Sequence, residues 1–159
     1  CYTTDFSDSI HIEENLLRIE KNEPRKIWTA VYYDADQKYH YIKRFSIEED
    51  QKRENILGEN PKNELLLLTD TYYPRLLIGR QEKGGELRTT EIDVEEFALV
   101  KSIRASGKRI APYLIDQVEE LPPLKESPVF ESEHDESIAE TEEEEADLFA
   151  GQTEDSSNE

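Results

Sequence analysis

The chain has 159 residues and a formal net charge of −19, a length that suits one domain with appendages. Its acids are unevenly spread, because residues 1–118 hold 18 Lys and Arg against 22 Asp and Glu, whereas residues 119–159 hold one Lys against 16 acids. The acidic part cannot bury enough apolar surface to offset the entropy lost on ordering. We therefore predict a folded domain over residues 1–120 and a disordered acidic tail over residues 121–159.

Several classes of protein are excluded by composition. No run approaches the roughly 18 apolar residues of a membrane span, and no signal sequence is present. Methionine is absent and Cys1 is the one cysteine, so we expect a fragment or processed product without a disulfide framework. A lipoprotein acylated at Cys1 is the alternative. The expectation is a cytoplasmic protein with no membrane partner.

The clearest local pattern is a β-hairpin. Residues 27–33 are aromatic and β-branched, which favours a strand. Residues 34–38 form a polar connection of hairpin length, and residues 39–47 return as a second strand. On this second strand Lys43 shares a face with the tyrosines and Phe45, whereas Arg44 takes the other face.

The remaining segments are short and separated by turn residues. A single helical turn or a loop is expected over residues 46–55, which lack an apolar stripe. No segment keeps a helical period over three turns, and no clean internal repeat is visible. The pattern predicts an antiparallel all-β unit, blade-like or an open barrel, with further strands over residues 15–19, 65–68, 75–78, 87–94, 97–104 and 108–110.

Motifs of catalysis and metal binding are missing from the sequence. His11, His40 and His134 are scattered without the spacing of a metal site, and no phosphate-binding or nucleophile motif occurs. Asp34 and Asp36 are carboxylates that suit a hard cation, although hairpin turns use Asp mainly for their own geometry. We predict no catalytic residue, no metal site and no cofactor in this fragment.

The most unusual stretch is residues 101–109, which carries four cations and no acid in an acidic chain. Lys101, Arg104, Lys108 and Arg109 flank a Ser-Gly turn, so they can converge at one sheet edge and neutralise phosphates. The alternative is a set of solvated charges that protects an edge strand from aggregation. On a regular strand Lys101 and Arg104 have opposite parity, which argues against a shared ligand.

The sequence resembles the C-terminal region of bacterial type IIA topoisomerase A subunits, gyrase and topoisomerase IV alike. The matching stretches are CYTTDF (1–6), IWTAVYYDADQKYHYIKRF (27–45), GENP (58–61), YPR (73–75), EIDVEEF (91–97) and VKSIRASGKRI (100–110). They follow one another in order over residues 1 to about 120. The glutamine- and arginine-rich box of gyrase is absent, and residues 82–86 are a poor substitute, so the resemblance is closest to the topoisomerase IV-like branch.

The resemblance implies part of a β-pinwheel, a propeller-like ring of blades that binds and bends duplex DNA without catalysing a reaction. It implies DNA contacts at the cations of the matching segments, which are Lys43, Arg44, Lys101, Arg104, Lys108 and Arg109. In such a parent enzyme the catalytic tyrosine lies in an upstream core. We can place neither that core nor its tyrosine in this chain. ATP and magnesium would act in that core and in the B subunit, which would contact the upstream parts of the parent chain. The protein would be located in the cytoplasm, associated with the nucleoid.

A second hypothesis assigns the chain to protein interaction. The acidic tail, with the small apolar island Leu148-Phe149-Ala150 near its end, would dock a basic partner protein and no DNA would bind. An incidental hydrophobic cluster in a solubilising tail accounts for the same residues.

Overall fold

The computed structural model describes residues 1–4, 7 and 9–130. Residues Cys1–Ser127 form one compact unit, and the fold below belongs to it. The predicted disorder of the tail from residue 131 onward lies outside the described residues. No helix in the described part of the chain is long and apolar enough to cross a membrane.

Eight strands and one short helix make up this unit. They are β1 (Trp28–Asp34), β2 (Tyr39–Phe45), β3 (Glu64–Thr69), β4 (Arg75–Gln81), β5 (Leu87–Asp93), α1 (Val94–Phe97), β6 (Val100–Lys101), β7 (Lys108–Arg109) and β8 (Gln117–Leu121). All pairs are antiparallel except β2 with β6, which run parallel. The prediction of an all-β, mainly antiparallel fold is confirmed.

The β1–β2 hairpin forms as predicted, with Trp28 opposite Phe45 and Asp34 opposite Tyr39. Its turn is held by Asp34, whose Oδ1 accepts hydrogen bonds from the backbone N–H groups of Asp36 at 2.9 Å and Gln37 at 3.1 Å. This carboxylate therefore serves turn geometry. The first sheet continues outward from the hairpin in the order β3-β1-β2-β6, and β7 also pairs with β2.

The second sheet, ordered β5-β4-β8, repeats the topology of the first. Its β4–β5 hairpin corresponds to β1–β2, and β8 pairs with β4 as β3 pairs with β1. In the first sheet β6 and β7 occupy the far side of β2, whereas no described strand pairs with the far side of β5. The repeat lies in strand order and pairing, which is why the sequence shows no matching residue pattern.

Two apolar clusters cover the two faces of the first sheet. One joins it to the second sheet through buried Val31, Ile42, Leu76, Ile78 and Val94. The other lies on the opposite face around Trp28, Ala30 and Phe45. The strands of the hairpin are therefore buried on both sides, and residues of either parity on β2 are removed from water.

Two sequence predictions of local structure are wrong, and one strand of the structure has no counterpart among the predictions. Residues 15–19 form no strand, because they are exposed and Leu16 N–H donates to Glu13 in a turn. The predicted strand over residues 97–104 is the end of α1, then β6, then a turn. Strand β8 was not predicted, since its acidic sequence Gln-Val-Glu-Glu-Leu looks like the start of the tail.

The short helix α1 begins with a side-chain cap that fixes its position after β5. The Oδ1 atom of Asp93 accepts from Glu95 N–H at 3.1 Å, as an N-cap residue does. Four residues are too few for a periodic pattern, so the only sequence signal of this helix is its start, where Asp93 is followed three residues later by Glu96.

Candidate nucleic-acid interface

Strand β7 brings two of the predicted cations to the edge of the first sheet. Lys108 lies opposite Ile42 and Arg109 opposite Tyr41 on β2, so the two side chains leave the strand on opposite faces. The Lys108 Nζ donates to the Phe97 carbonyl at 3.0 Å and lies 4.5 Å from the Phe97 ring centroid. The Arg109 guanidinium lies 4.8 Å from the Tyr39 ring centroid. Both side chains are exposed, and neither forms an ion pair with a carboxylate of the described residues.

Lys101 and Arg104 occupy a different and more acidic setting. They line a groove of about 550 Å³ whose walls also carry Lys52 and three acids, Glu48, Asp50 and Glu54. The Arg104 Nε donates to both carboxylate oxygens of Glu54 at 3.0 Å, and its Nη2 donates to the same group. This hydrogen-bonded pair lowers the pKa of Glu54. Arg104 lies in a turn, so the parity argument from a regular strand does not apply to it.

Lys43 is buried on the face of β2 that points away from the second sheet. Its side chain is 5% exposed, and its Nζ donates to the Ile56 carbonyl at 2.9 Å. The ammonium also lies 5.7 Å from the Phe45 ring centroid. Burial lowers the pKa of Lys43. These contacts make Lys43 a structural residue of the first sheet, and we exclude it from the DNA contact.

Arg44 is buried on the other face of β2, between the two sheets. Its side chain is 5% exposed, and its Nη1 and Nη2 atoms donate to the carbonyls of Ala98 and Tyr72, each at 3.3 Å. Its Nε has no hydrogen-bond partner among the described residues. The guanidinium therefore links the first sheet to segments that flank the second, and we exclude it from the DNA contact as well.

His40 holds the crossover segment, residues 110–116, which leads from β7 to β8. Its backbone carbonyl accepts from Ile110 N–H at 2.9 Å, and its Nδ1 accepts from Ile115 N–H at 3.3 Å. Its ring packs against Tyr33 with centroids 5.2 Å apart. Burial lowers the pKa of His40, against the opposing effect of the Asp116 and Glu64 carboxylates.

We expect the stability of the chain to fall as the pH is lowered below about 6.5. The unfolded chain binds a proton at His40 near pH 6.5, whereas the folded chain binds it at lower pH, so stability falls as pH falls by at most about 1.4 kcal/mol per unit. Urea unfolding at pH 7.5 and 5.5, followed by the fluorescence of buried Trp28, measures this change. The variant His40→Gln keeps an acceptor for the crossover and should reduce the pH dependence.

An equal loss of stability in His40→Gln and the parent chain would contradict that assignment. An unperturbed carboxyl group titrates near pH 4, below the pH of both measurements. Burial raises the pKa of Asp70, but hydrogen bonds from Lys26 and Arg18 outweigh it and lower the value to about 2. The contribution of Asp70 is therefore lost below about pH 4, near its ordinary pKa.

Among the described residues no group of three or more His, Cys, Asp or Glu side chains is arranged to hold a metal ion. His40 is engaged with the crossover segment, and Asp34 with its own turn.

Sequence reasoning missed one pair of cations that the fold brings together. Arg80 on β4 lies directly opposite Arg88 on β5. The sequence signal is Gly84-Gly85, two turn residues: a hairpin centred on Gly84 places Arg80 and Arg88 opposite one another. The predicted strand over residues 87–94 includes Arg88, but the predicted strand over residues 75–78 stops before Arg80. In the structure β4 continues to Gln81 and therefore includes Arg80.

One comparison with known proteins gives a match. The family model described as the topoisomerase C-terminal domain of Bacteroidota matches residues 1–122. Searches of curated proteins and of solved structures return no match. The family match confirms the resemblance to the C-terminal region of type II topoisomerase A subunits, while the topoisomerase IV-like branch stays a prediction. The chain belongs to the bacterial topoisomerase C-terminal domain family.

Proposed function

We propose that this chain is a non-catalytic module that binds and bends duplex DNA for a type II topoisomerase. The observation that carries the proposal is the pair Lys108 and Arg109 on β7, both exposed and without a carboxylate partner among the described residues. The family match supports a topoisomerase accessory module.

The stacking of Arg109 on Tyr39 suits a phosphate ligand. A guanidinium that lies over an aromatic ring keeps the N–H groups at its edge available, and these match the oxygens of a phosphate. Because each neutralised phosphate releases counterions, such contacts give DNA affinity that falls with salt. Lys101 extends this surface, whereas Arg104 must first separate from Glu54.

In this proposal the parent enzyme supplies the chemistry from other parts. ATP and magnesium act in the upstream core and the B subunit, and this module positions the duplex in the nucleoid-associated cytoplasm. The catalytic tyrosine belongs to that core, so no tyrosine of this chain is given the role.

The test is binding of a fluorescent duplex of about 20 base pairs, measured by anisotropy over a salt series. We expect the full chain to bind at low salt. The double variant Lys108→Gln/Arg109→Gln should bind at least about tenfold more weakly, with the slope of log K against log salt reduced by about 1.8, because about 0.9 is lost per phosphate contact.

The matched control is Lys21→Gln/Lys62→Gln, which removes the same charge from two exposed positions away from β7. Its affinity should stay within about threefold of the parent chain, the loss that a change in net charge alone produces at low salt. No binding by the parent chain at low salt would contradict the proposed function. Equal losses in the two double variants would assign the binding to net charge and remove the role of β7.

A further inference from the structure

The second sheet carries two arginines that face each other across neighbouring strands. Arg80 and Arg88 are register partners in the antiparallel β4–β5 pair, so their side chains leave the same face of the sheet. Both are exposed. Like charges directly opposite one another destabilise a sheet, so the pairing of Arg80 with Arg88 does not itself stabilise the folded chain.

The surroundings do not neutralise this pair. Arg80 forms no ion pair with a carboxylate of the described residues, and the Asp116 carboxylate accepts instead from Gln81 N–H at 2.7 Å. Arg88 approaches Glu82 at 3.4 Å, with 78% of its side chain exposed. An exposed ion pair of this length contributes little. The two guanidiniums therefore keep donor capacity for an external anion.

Arg80 is also held in place. Its guanidinium lies 4.4 Å from the ring centroid of Tyr113, which packs against the apolar cluster between the sheets. The Arg109 guanidinium lies over the Tyr39 ring in the same way. Both arrangements leave the N–H groups at the edge of the guanidinium available to a ligand. Residues 109 and 113 are four positions apart, which limits their Cα separation to about 14 Å. One short stretch of chain thus joins Arg109 to the ring over which Arg80 lies.

We propose that Arg80 and Arg88 together bind a backbone phosphate of duplex DNA, so that the duplex contacts the second sheet as well as β7. This rests on the proposed function. Opposite residues of an antiparallel pair have Cβ atoms about 5 Å apart, which lets two guanidiniums converge on one phosphate. Phosphate binding relieves the repulsion between them.

The experiment uses the full chain and the variants Arg80→Gln, Arg88→Gln and the double variant, with Lys83→Gln as the matched control. Lys83 is an exposed cation in the turn of the same hairpin, so its removal changes the charge equally. We expect each arginine variant to bind the duplex three- to tenfold more weakly, with a salt slope reduced by about 0.9. The double variant should lose little more than either single one, because both arginines serve one phosphate. Lys83→Gln should lose less than twofold.

Thermal unfolding distinguishes phosphate binding from a structural role, because loss of a structural arginine would lower the melting temperature. Removing one of two repelling cations should leave the melting temperature unchanged or raise it. A lower melting temperature in both single variants would overturn the inference, as would duplex affinity equal to that of Lys83→Gln. Inorganic phosphate that raises the melting temperature of the parent chain as much as the duplex does would indicate a free-anion site and overturn the DNA assignment. If the parent chain and Lys83→Gln fail to bind the duplex at all, the proposed function fails first.

Discussion

Replacing Arg44 by Ala should destabilise the chain by about 2–4 kcal/mol. The substitution removes a long buried side chain and leaves a cavity, and the carbonyls of Ala98 and Tyr72 lose their donors between the sheets. Urea unfolding followed by the fluorescence of Trp28, which is 6% exposed, measures the change in the free energy of unfolding. An unchanged urea midpoint would show that Arg44 does not hold the sheets together.

The companion variant Arg44→Met separates packing from hydrogen bonding. Met keeps most of the side-chain volume and avoids burying a charge, so we expect a loss below about 1.5 kcal/mol. A loss as large as that of Arg44→Ala would assign the effect to the two carbonyl bonds. Because Arg44 is buried, the folded Met variant should bind duplex DNA like the parent chain, and a tenfold loss would restore Arg44 as a DNA contact.

The hairpin and most strands could be predicted because their signal is local. Residues 28–45 place aromatic and β-branched side chains on both sides of a short polar turn, and the two strands pair from Trp28–Phe45 to Asp34–Tyr39. The predicted strand over residues 97–104 is wrong because β6 is only two residues long and pairs in parallel with the edge of β2. Its position depends on a partner more than 50 residues earlier, which no local pattern encodes.

The site was harder to predict than the fold because burial decides which cations are available. Lys43 and Arg44 look like exposed hairpin charges in sequence, but apolar clusters cover both faces of the first sheet. Arg104 looks free, yet the fold brings Glu54 to it from 50 residues away. Three cations of the predicted basic stretch, Lys101, Lys108 and Arg109, are exposed without an ion pair among the described residues. Lys101 lines the groove that carries three acids, whereas Lys108 and Arg109 lie together on β7.

Gly107→Ala should distort the segment that carries these two cations. A Cβ atom at position 107 would lie 2.8 Å from the Ile42 carbonyl oxygen, closer than real Cβ contacts allow, and 3.0 Å from the Tyr32 hydroxyl. Gly107 N–H also donates to that hydroxyl at 3.1 Å. Because the obstructing carbonyl belongs to the buried strand β2, the strand that follows Gly107 must move. We expect a loss of about 1–3 kcal/mol in the free energy of unfolding.

The same variant links the fold to DNA binding. Strand β7 follows Gly107 directly and pairs with Tyr41 and Ile42, so its displacement should weaken duplex affinity at least about threefold while the net charge stays the same. The matched control is Gly84→Ala, since a Cβ there meets nothing within 4 Å. That variant should change stability by less than about 0.5 kcal/mol and leave affinity unchanged. Equal behaviour of the two alanine variants would mean that the close approach of Gly107 to β2 does not position Lys108 and Arg109.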